Sequence, residues 1–448
     1  APLDSNREFG SFGARLNLMY QDADDLGGKK GKESKRWGVA PSFSYRFSDT
    51  TKLTAGLYYF KNEDMPDYGV RMSGTACVGL PYCVGSGTAA DPWQPIDVPT
   101  DTFYGTPGRD FTDSESKSGF LRFDHEFSGT LRFSATLRKN HDHHAYLVTQ
   151  PALAADGIVR GSKSGNRENE TLAFNAQLTG EQDLFGLRHT FGVGFDYSKN
   201  DATQYGGFSF SPAPGNVSYV DPDLGYWTGT ITEGSPSSYS TTISKTLYAF
   251  DVIDLAPKWQ LSLGLSFNRY DVETETVSTG AVAGVESNLV NGSIGLVYKF
   301  RDDAMLYGAI SSSSKPGGLG AGTGGENASD DLNDLDPERS YSYEVGTKWQ
   351  AFDDRLLLSA ALFQIDKDNA RVTLEDGTED NVGKTRSRGI ELGFAGQITD
   401  TWGISGGYVY QDVKLVDGGW TTPRGGGTPY PNPGNGKQLV KIPRHSFS

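Results

Sequence analysis

Short segments in which apolar and polar side chains alternate recur along the whole chain, and the connections between them are in turn short and long. The stretch RGIELGFAGQITDTWGISGGYVYQD, 388–412, shows the unit. Ile390, Leu392, Phe394 and Ile398 fall on one set of positions, with Glu391, Ala395 and Gln397 on the other. After the turn Thr399-Asp400-Thr401 the alternation resumes, with Trp402, Ile404, Tyr408 and Tyr410 against Ser405 and Gln411. A period of two places alternate side chains on opposite faces of a strand, so each segment predicts a strand with one apolar face. Further short turns fall at 48–51, 128–129, 183–186, 255–257, 301–303 and 352–354. Long connections fall at 22–35, 63–117, 141–165, 201–239, 273–286, 314–340, 368–382 and 416–440. Sandwiches rarely sustain such a strict exchange over so many strands. An up-and-down barrel in the outer membrane does so by design, with tight turns at one end and long loops at the other.

Composition agrees. Hydrophobic residues make up only 36% of the 448, whereas Gly is high at 57 and aromatics reach 12%. That balance suits a large sheet with one apolar face better than several soluble cores or a disordered chain. No run of about 20 apolar residues occurs, so no transmembrane helix is expected; a barrel needs none. The apolar residues of 388–412 are then expected to face lipid, and Glu391, Gln397 and Gln411 a polar lumen. KLTAGLYYFKN (52–62) and RLLLSAALFQID (355–366) repeat the pattern. Aromatics at strand ends (Tyr58, Phe60, Phe127, Trp259, Tyr298, Phe300, Trp349, Phe352 and Trp402) suit the boundary between water and lipid. Roughly fifteen strands can be traced, with one more beginning at IPRHSFS. An interrupted sheet leaves unpaired N–H and C=O groups in lipid, so further strands are expected outside this sequence, which reads as processed or a fragment. Residues 1–448 are taken as one partial barrel domain.

The net charge of −15 argues against nucleic-acid binding. Cys77 and Cys83, six residues apart in a Gly/Pro-rich stretch, suggest a small loop disulfide and an oxidising compartment. No G-x-S-x-G, P-loop or H-E-x-x-H motif is present, and no enzyme activity is expected. The Gly-rich stretch 317–325 leads into an acidic loop rather than a helix, as a flexible outer loop would. His141 to His144 (HDHH) is the one metal-like cluster; in extended backbone His141 and His143 would share a face, but a solvated loop cluster is the simpler account. The carboxylates of 333–349 lack EF-hand spacing; Asp336-Pro337-Glu338 should end a loop and lead into a strand. No cofactor or structural metal is expected.

The long connections are rich in aromatic rings. Tyr68, Trp93, Tyr104, Arg109, Tyr146, Tyr205 and Trp227 are candidates for contact with a planar or anionic small molecule. The longest, 63–117, carries nine carboxylates, from Glu63 to Glu115, against Arg71, Arg109 and Lys117. An anionic ligand would therefore depend on local basic groups rather than on net charge.

RWGVAPSFSYRF, LYYFKNEDMPDYGV, FYGTPGRDF and LRFDHEFSGTLRFSATLR resemble the barrel of TonB-dependent ferric-siderophore receptors. LDPERSYSYEVGTKW, the strand ending near Asn369-Ala370-Arg371, and RSRGIEL are similar to that family's P-E-x-S-x-x-Y-E-x-G-x-K-W, N-A-R and R-x-R-G-x-E-L pattern. MPDYGV and YGTPGRD look closest to the branch that takes up ferric catecholates. The resemblance implies part of a 22-stranded barrel in the outer membrane of a Gram-negative bacterium. It also implies an N-terminal plug carrying the TonB box; the plug, the last strands and the terminal aromatic are not in this sequence. Iron would enter as a ferric siderophore, with energy from the TonB–ExbB–ExbD complex, in contact with outer-membrane lipid and lipopolysaccharide. The resemblance implies ligand contact in the outer loops, especially around Trp93, Tyr104 and Arg109 and around His143, His144 and Tyr146; with Trp227 from the aromatic set these are the expected ligand-binding residues. Same-fold receptors for haem, vitamin B12 or oligosaccharides stay open as alternatives, as does a passive porin.

Overall fold

The computed structural model describes residues 2–448 except 30, 81, 89, 155–156, 317–335, 376–378, 400, 422–426 and 440–441. Seventeen antiparallel strands form one meander, each hydrogen-bonded to its neighbours along the wall. The first eight are β1 (Pro2–Phe9), β2 (Phe12–Ala23), β3 (Ser34–Ser48), β4 (Thr51–Asp64), β5 (Phe111–Ser128), β6 (Leu131–Ala154), β7 (Gly157–Leu184) and β8 (Leu187–Tyr205). A separate two-stranded ribbon follows, β9 (Phe208–Ser211) with β10 (Thr230–Glu233). The wall resumes with β11 (Pro236–Ala256), β12 (Trp259–Thr276), β13 (Ala281–Arg301), β14 (Ala304–Lys315), β15 (Glu338–Gln350), β16 (Leu356–Thr373), β17 (Glu379–Thr399) and β18 (Trp402–Asp417). After the two-residue strands β19 (Trp420–Thr421) and β20 (Tyr430–Pro431), β21 (His445–Phe447) pairs with β18 and completes the seventeen. Among the described residues β1 pairs only with β2 and β21 only with β18, so the wall has two open edges.

The register carries one apolar stripe from strand to strand. Phe43 lies opposite Ala55, Ala55 opposite Leu121, and Leu121 opposite Leu137. Further round, Phe195 opposes Leu247, Leu247 opposes Phe267 and Phe267 opposes Val290. Ile310, Tyr343, Leu362, Ile390 and Tyr410 continue the face. Most of these side chains are exposed, Leu247 to 61%, as is Leu265 on the same face, although together they form a continuous apolar surface. The opposite face is polar: Asn175, Asp196, Thr246 and Asn268 share it. A soluble sheet would bury the apolar stripe; a surface of this extent marks an interface with something apolar.

All seven short turns read from the sequence are strand connections, and Asp336-Pro337 does lead into β15. Four expectations need correction. An eighth hairpin, β1–β2, turns at Phe9–Phe12. Residues 141–165 and 273–286 are not loops: β6–β7 and β12–β13 pair without a break to Ala154–Gly157 and Thr276–Ala281. The connection read at 368–382 shrinks in the same way, because β16 runs to Thr373 and β17 starts at Glu379. Tyr58 and Phe60 lie on the polar face, in register with Ser118 and Ser116, at the long-connection end. Phe127, Trp259, Tyr298, Phe300, Trp349, Phe352 and Trp402 do gather at the short-turn end, where the Trp259 and Tyr298 rings stack at 4.5 Å. The Gly-rich stretch 317–325 lies outside the described residues.

Candidate functional site: the mouth of the wall

The β6–β7 hairpin stands above its neighbours because its ladder continues well past the ends of β5 and β8. Connections 65–110 and 206–235 pack against it. Ile96, Tyr104, Ile158, Val217 and Tyr219 form a small core there, which is how two long loops bury their apolar residues without a domain of their own. The Tyr104 hydroxyl donates to the Tyr219 carbonyl at 2.5 Å, and burial pushes its pKa up to about 12. Beside this core lies a buried ion pair. Arg109 donates to Asp110 at 2.8 Å and to the Thr149 hydroxyl at 2.7 Å, and its guanidinium carbon sits 4.6 Å from the centroid of the Phe210 ring. Asp110 also accepts the backbone N–H groups of Thr106 at 3.0 Å and Thr149 at 2.8 Å. Gly108 takes φ +85° where the chain turns into this knot, and a Cβ there would fall 2.4 Å from the Trp227 carbonyl oxygen. Cys77 and Cys83 are joined by a disulfide within 65–110.

These contacts assign roles to most of the aromatic candidates. Tyr104 and Arg109 are buried to 2% and 1% exposure, so neither offers a surface to a ligand; they hold the loops together. Trp93 is half-buried and packs over Gly87 in its own loop. The Trp227 indole donates to the Pro212 carbonyl at 2.9 Å and meets Phe210 edge-on. Tyr205 donates to Glu168 at 2.9 Å. Tyr68 stays exposed, with the Lys163 ammonium 5.9 Å from its ring centroid.

HDHH is strand rather than loop, so its side chains alternate faces and do not converge. His141 and His143 share a face, as extended backbone requires. His141 lies 3.6 Å from Glu170, and His143 is 2.9 Å from Asn166, which in turn donates to Glu233. His144 and Tyr146 project from the polar face instead, their ring centroids 5.6 Å apart. His144 Nδ1 is 2.8 Å from the Ser114 hydroxyl. Tyr146 lies over Gly165, where a Cβ would come within 2.7 Å of the ring. Arg167 is the cross-strand partner of His144, and Arg138 lies on the same face of β6. Arg138 donates to Ser118 and Asn140, at 3.0 and 2.7 Å. Among the described residues neither arginine has a carboxylate within 4.0 Å. The aromatic composition of the long connections does not single out Arg138 and Arg167; their position relative to Leu137 and Leu172 in the two-residue period is the signal that places them on the polar face.

One tether joins two mouth loops. Lys29, in the β2–β3 connection, donates to Asp67 at 2.6 Å, and Lys32 approaches the same carboxylate at 3.7 Å. Burial works to raise the pKa of Asp67, but its bonds to Lys29 and the Gly69 N–H and the charges of Lys29 and Lys32 outweigh that, leaving it below the usual carboxylate value. A depressed folded pKa contributes stability above the unfolded value of about 4, and that contribution is lost as pH falls through the folded value. We therefore expect hydrogen exchange around 65–70 to speed up below about pH 4, and Asp67→Asn to remove that dependence. An unchanged pH profile in the variant would refute the tether.

The family described as TonB dependent receptor-like, beta-barrel, matches residues 36–448. The chain belongs to this family. It is 31% identical to the probable TonB-dependent siderophore receptor PiuA of Acinetobacter baumannii, over 99% of this chain and 62% of that protein. It is 28% identical to the catecholate siderophore receptor Fiu of Escherichia coli K12, over 93% of this chain and 59% of Fiu. The crystal structure of A. baumannii PiuA superimposes with a TM-score of 0.86 at 28% identity, over 100% of this chain and 66% of that one. The chain thus spans about three-fifths of the length of these curated relatives. It is a stretch of outer-membrane β-barrel wall: the apolar stripe faces lipid, the polar face lines the lumen, and the long connections stand at the outer mouth.

Proposed function

We propose that the protein carrying this chain is a receptor that binds a ferric siderophore, of the catecholate class, at the outer mouth and imports it with energy delivered through TonB. Residues 1–448 supply one partial barrel domain. The observation that carries the proposal is the lumen-facing group His144, Tyr146 and Arg167: an arginine without a carboxylate partner among the described residues, directly across the β6–β7 ladder from an imidazole whose ring lies 5.6 Å from a phenol. Ferric catecholates are planar-ringed anions, and guanidinium groups with an aromatic neighbour suit them despite the net charge of −15. The names of PiuA and Fiu support the ligand class. TonB–ExbB–ExbD and lipopolysaccharide are proposed partners. The ferric siderophore is cargo, and no covalent chemistry is proposed.

The test is ferric-catecholate binding by the full-length protein. Arg167→Gln should weaken it about tenfold, as for a lost charge-assisted hydrogen bond. Arg109→Lys, deep in the loop packing, should change affinity far less than Arg167→Gln. Equal affinity for wild type and Arg167→Gln, or steady ion conductance in a planar bilayer as from an open porin, would overturn the proposal.

A further inference from the structure

On the outward face of the β6–β7 hairpin, His141 lies directly opposite Glu170 and His143 directly opposite Glu168. Two imidazoles two residues apart thus face two carboxylates two residues apart, beyond Leu137 and Leu172, where the apolar stripe ends. Neighbouring groups engage one polar atom of each of three side chains. Glu170 lies 3.6 Å from His141 Nδ1, and His141 Nε2 is 3.9 Å from Glu168 Oε1. The other Glu168 oxygen, Oε2, accepts the Tyr205 hydroxyl at 2.9 Å. Asn166, which is buried, gives its amide N–H to Glu233, so its carbonyl faces His143. A carboxylate can only accept, which fixes that amide orientation. His143 Nε2 therefore donates to Asn166, at 2.9 Å, and Nδ1 keeps its lone pair. Metal-ligating histidines are held in this way, with one ring nitrogen on a carboxylate or carbonyl and the other left for the ion.

The charges around the group point the same way. On the flanking strands Glu115 and Lys117 face the two histidines from β5, and Asp201 faces Glu170 from β8. Lys117 pairs with Glu115, Lys139 with Glu170 and Lys199 with Asp201. Glu168 and Glu233 have no lysine or arginine partner among the described residues. Their negative charges stay uncompensated beside the two imidazoles, which suits a divalent cation.

We propose that His141 Nε2, His143 Nδ1 and Glu168 Oε1 bind a divalent ion of the zinc type, with water in the fourth position. Two imidazoles and a carboxylate are a donor set for such ions. Donors sharing one zinc ion stand about 3.3 Å apart, so His141 and Glu168 need only a small rotation. Among the described residues no three such groups already converge. The ion draws half-exposed side chains together across a ladder whose register is already fixed. It clips β6 to β7 and, through Asn166 and Glu233, steadies the β9–β10 ribbon and connection 206–235. The linear sequence offers the two histidines; the register supplies the carboxylate. The inference does not rest on the siderophore reading, because the group faces away from the lumen.

The experiment is a Co²⁺ titration of the full-length protein in mild detergent, read by the visible absorption of tetrahedral cobalt, with Zn²⁺ then added to displace it. The wild type should bind one ion per chain more than the double variant His141→Ala with His143→Ala. Tyr205→Phe, which leaves all three ligands in place, should weaken that ion about tenfold, as for a lost outer hydrogen bond. His125→Ala, at the short-turn end, should bind as the wild type does. Zn²⁺ should also slow hydrogen exchange across 206–235 in the wild type and not in the double variant. Exchange without metal should match between the two, and Glu168→Gln, which keeps both imidazoles, reads the site independently. Equal cobalt binding by the wild type and the double variant, an equal loss in His125→Ala, or the same slowing by Zn²⁺ in the double variant would each overturn the site. Ferric-catecholate binding does not enter any of these readouts, so the receptor proposal and this one can fail separately.

Discussion

Replacing Asp110 by Ala should loosen the mouth loops by about 3–5 kcal/mol, the effect of leaving one buried charge without its partner. Asp110 accepts from Arg109 and from two backbone N–H groups on different elements, so its loss leaves three donors unmatched inside the packing of 65–110 on β6. The wall should stay intact, because no strand pairing of β1–β8 passes through this carboxylate. Limited proteolysis of the folded protein should cut within 65–110 and 206–235 in Asp110→Ala but not in the wild type. Resistance to both cuts would show that the small core around Tyr104 and Ile158 holds the loops without the ion pair. The double change Arg109→Met with Asp110→Ala should recover part of the loss, since it removes the stranded guanidinium as well.

The second large effect concerns the side of the sheet that meets lipid. Leu265→Arg should destabilise the assembled wall by about 2–4 kcal/mol, as a cation does near the middle of a bilayer. Leu265 is 61% exposed, and in a water-soluble sheet the same change would be nearly neutral. Ser266→Arg, one residue on and facing the lumen, should be tolerated. Urea unfolding of both variants in lipid vesicles reads the contrast directly. Equal stability of the two would mean that the apolar stripe does not face acyl chains.

The contrast between those neighbours was legible in the sequence, because a two-residue period with one apolar face needs only side-chain identity. The seven tight turns were legible for the same reason: each interrupts an alternating run with Asp, Gly, Thr or Pro. The failures share a cause. Residues 141–165 and 273–286 stay in the ladder after they leave the lipid, and there both faces meet water or loops. The apolar alternation stops although the strand does not, so length was underestimated wherever a hairpin rises above the belt. β1 was missed because Ser5 and Arg7 interrupt its apolar set between Leu3 and Phe9. At the mouth, aromatic composition drew attention to Trp93, Tyr104, Arg109 and Trp227. Nothing in a linear sequence distinguishes a ring that packs a loop on itself from one held open for a ligand. His144 and Tyr146 project from the lumen face, and only the register of β6 and β7 brings Arg167 beside them.

Every wall strand bonds to the wall strand next to it in sequence, and even the long connections 65–110 and 206–235 leave β4 beside β5 and β8 beside β11. Order along the chain is therefore order around the circumference. Such a wall can be laid down one hairpin at a time, each new strand finding its partner among the residues just before it, with little loop entropy to overcome. It also means that gaining or losing a hairpin changes the girth of the wall without disturbing any other pairing. The mouth loops are then free to diverge on a frame whose assembly does not depend on them.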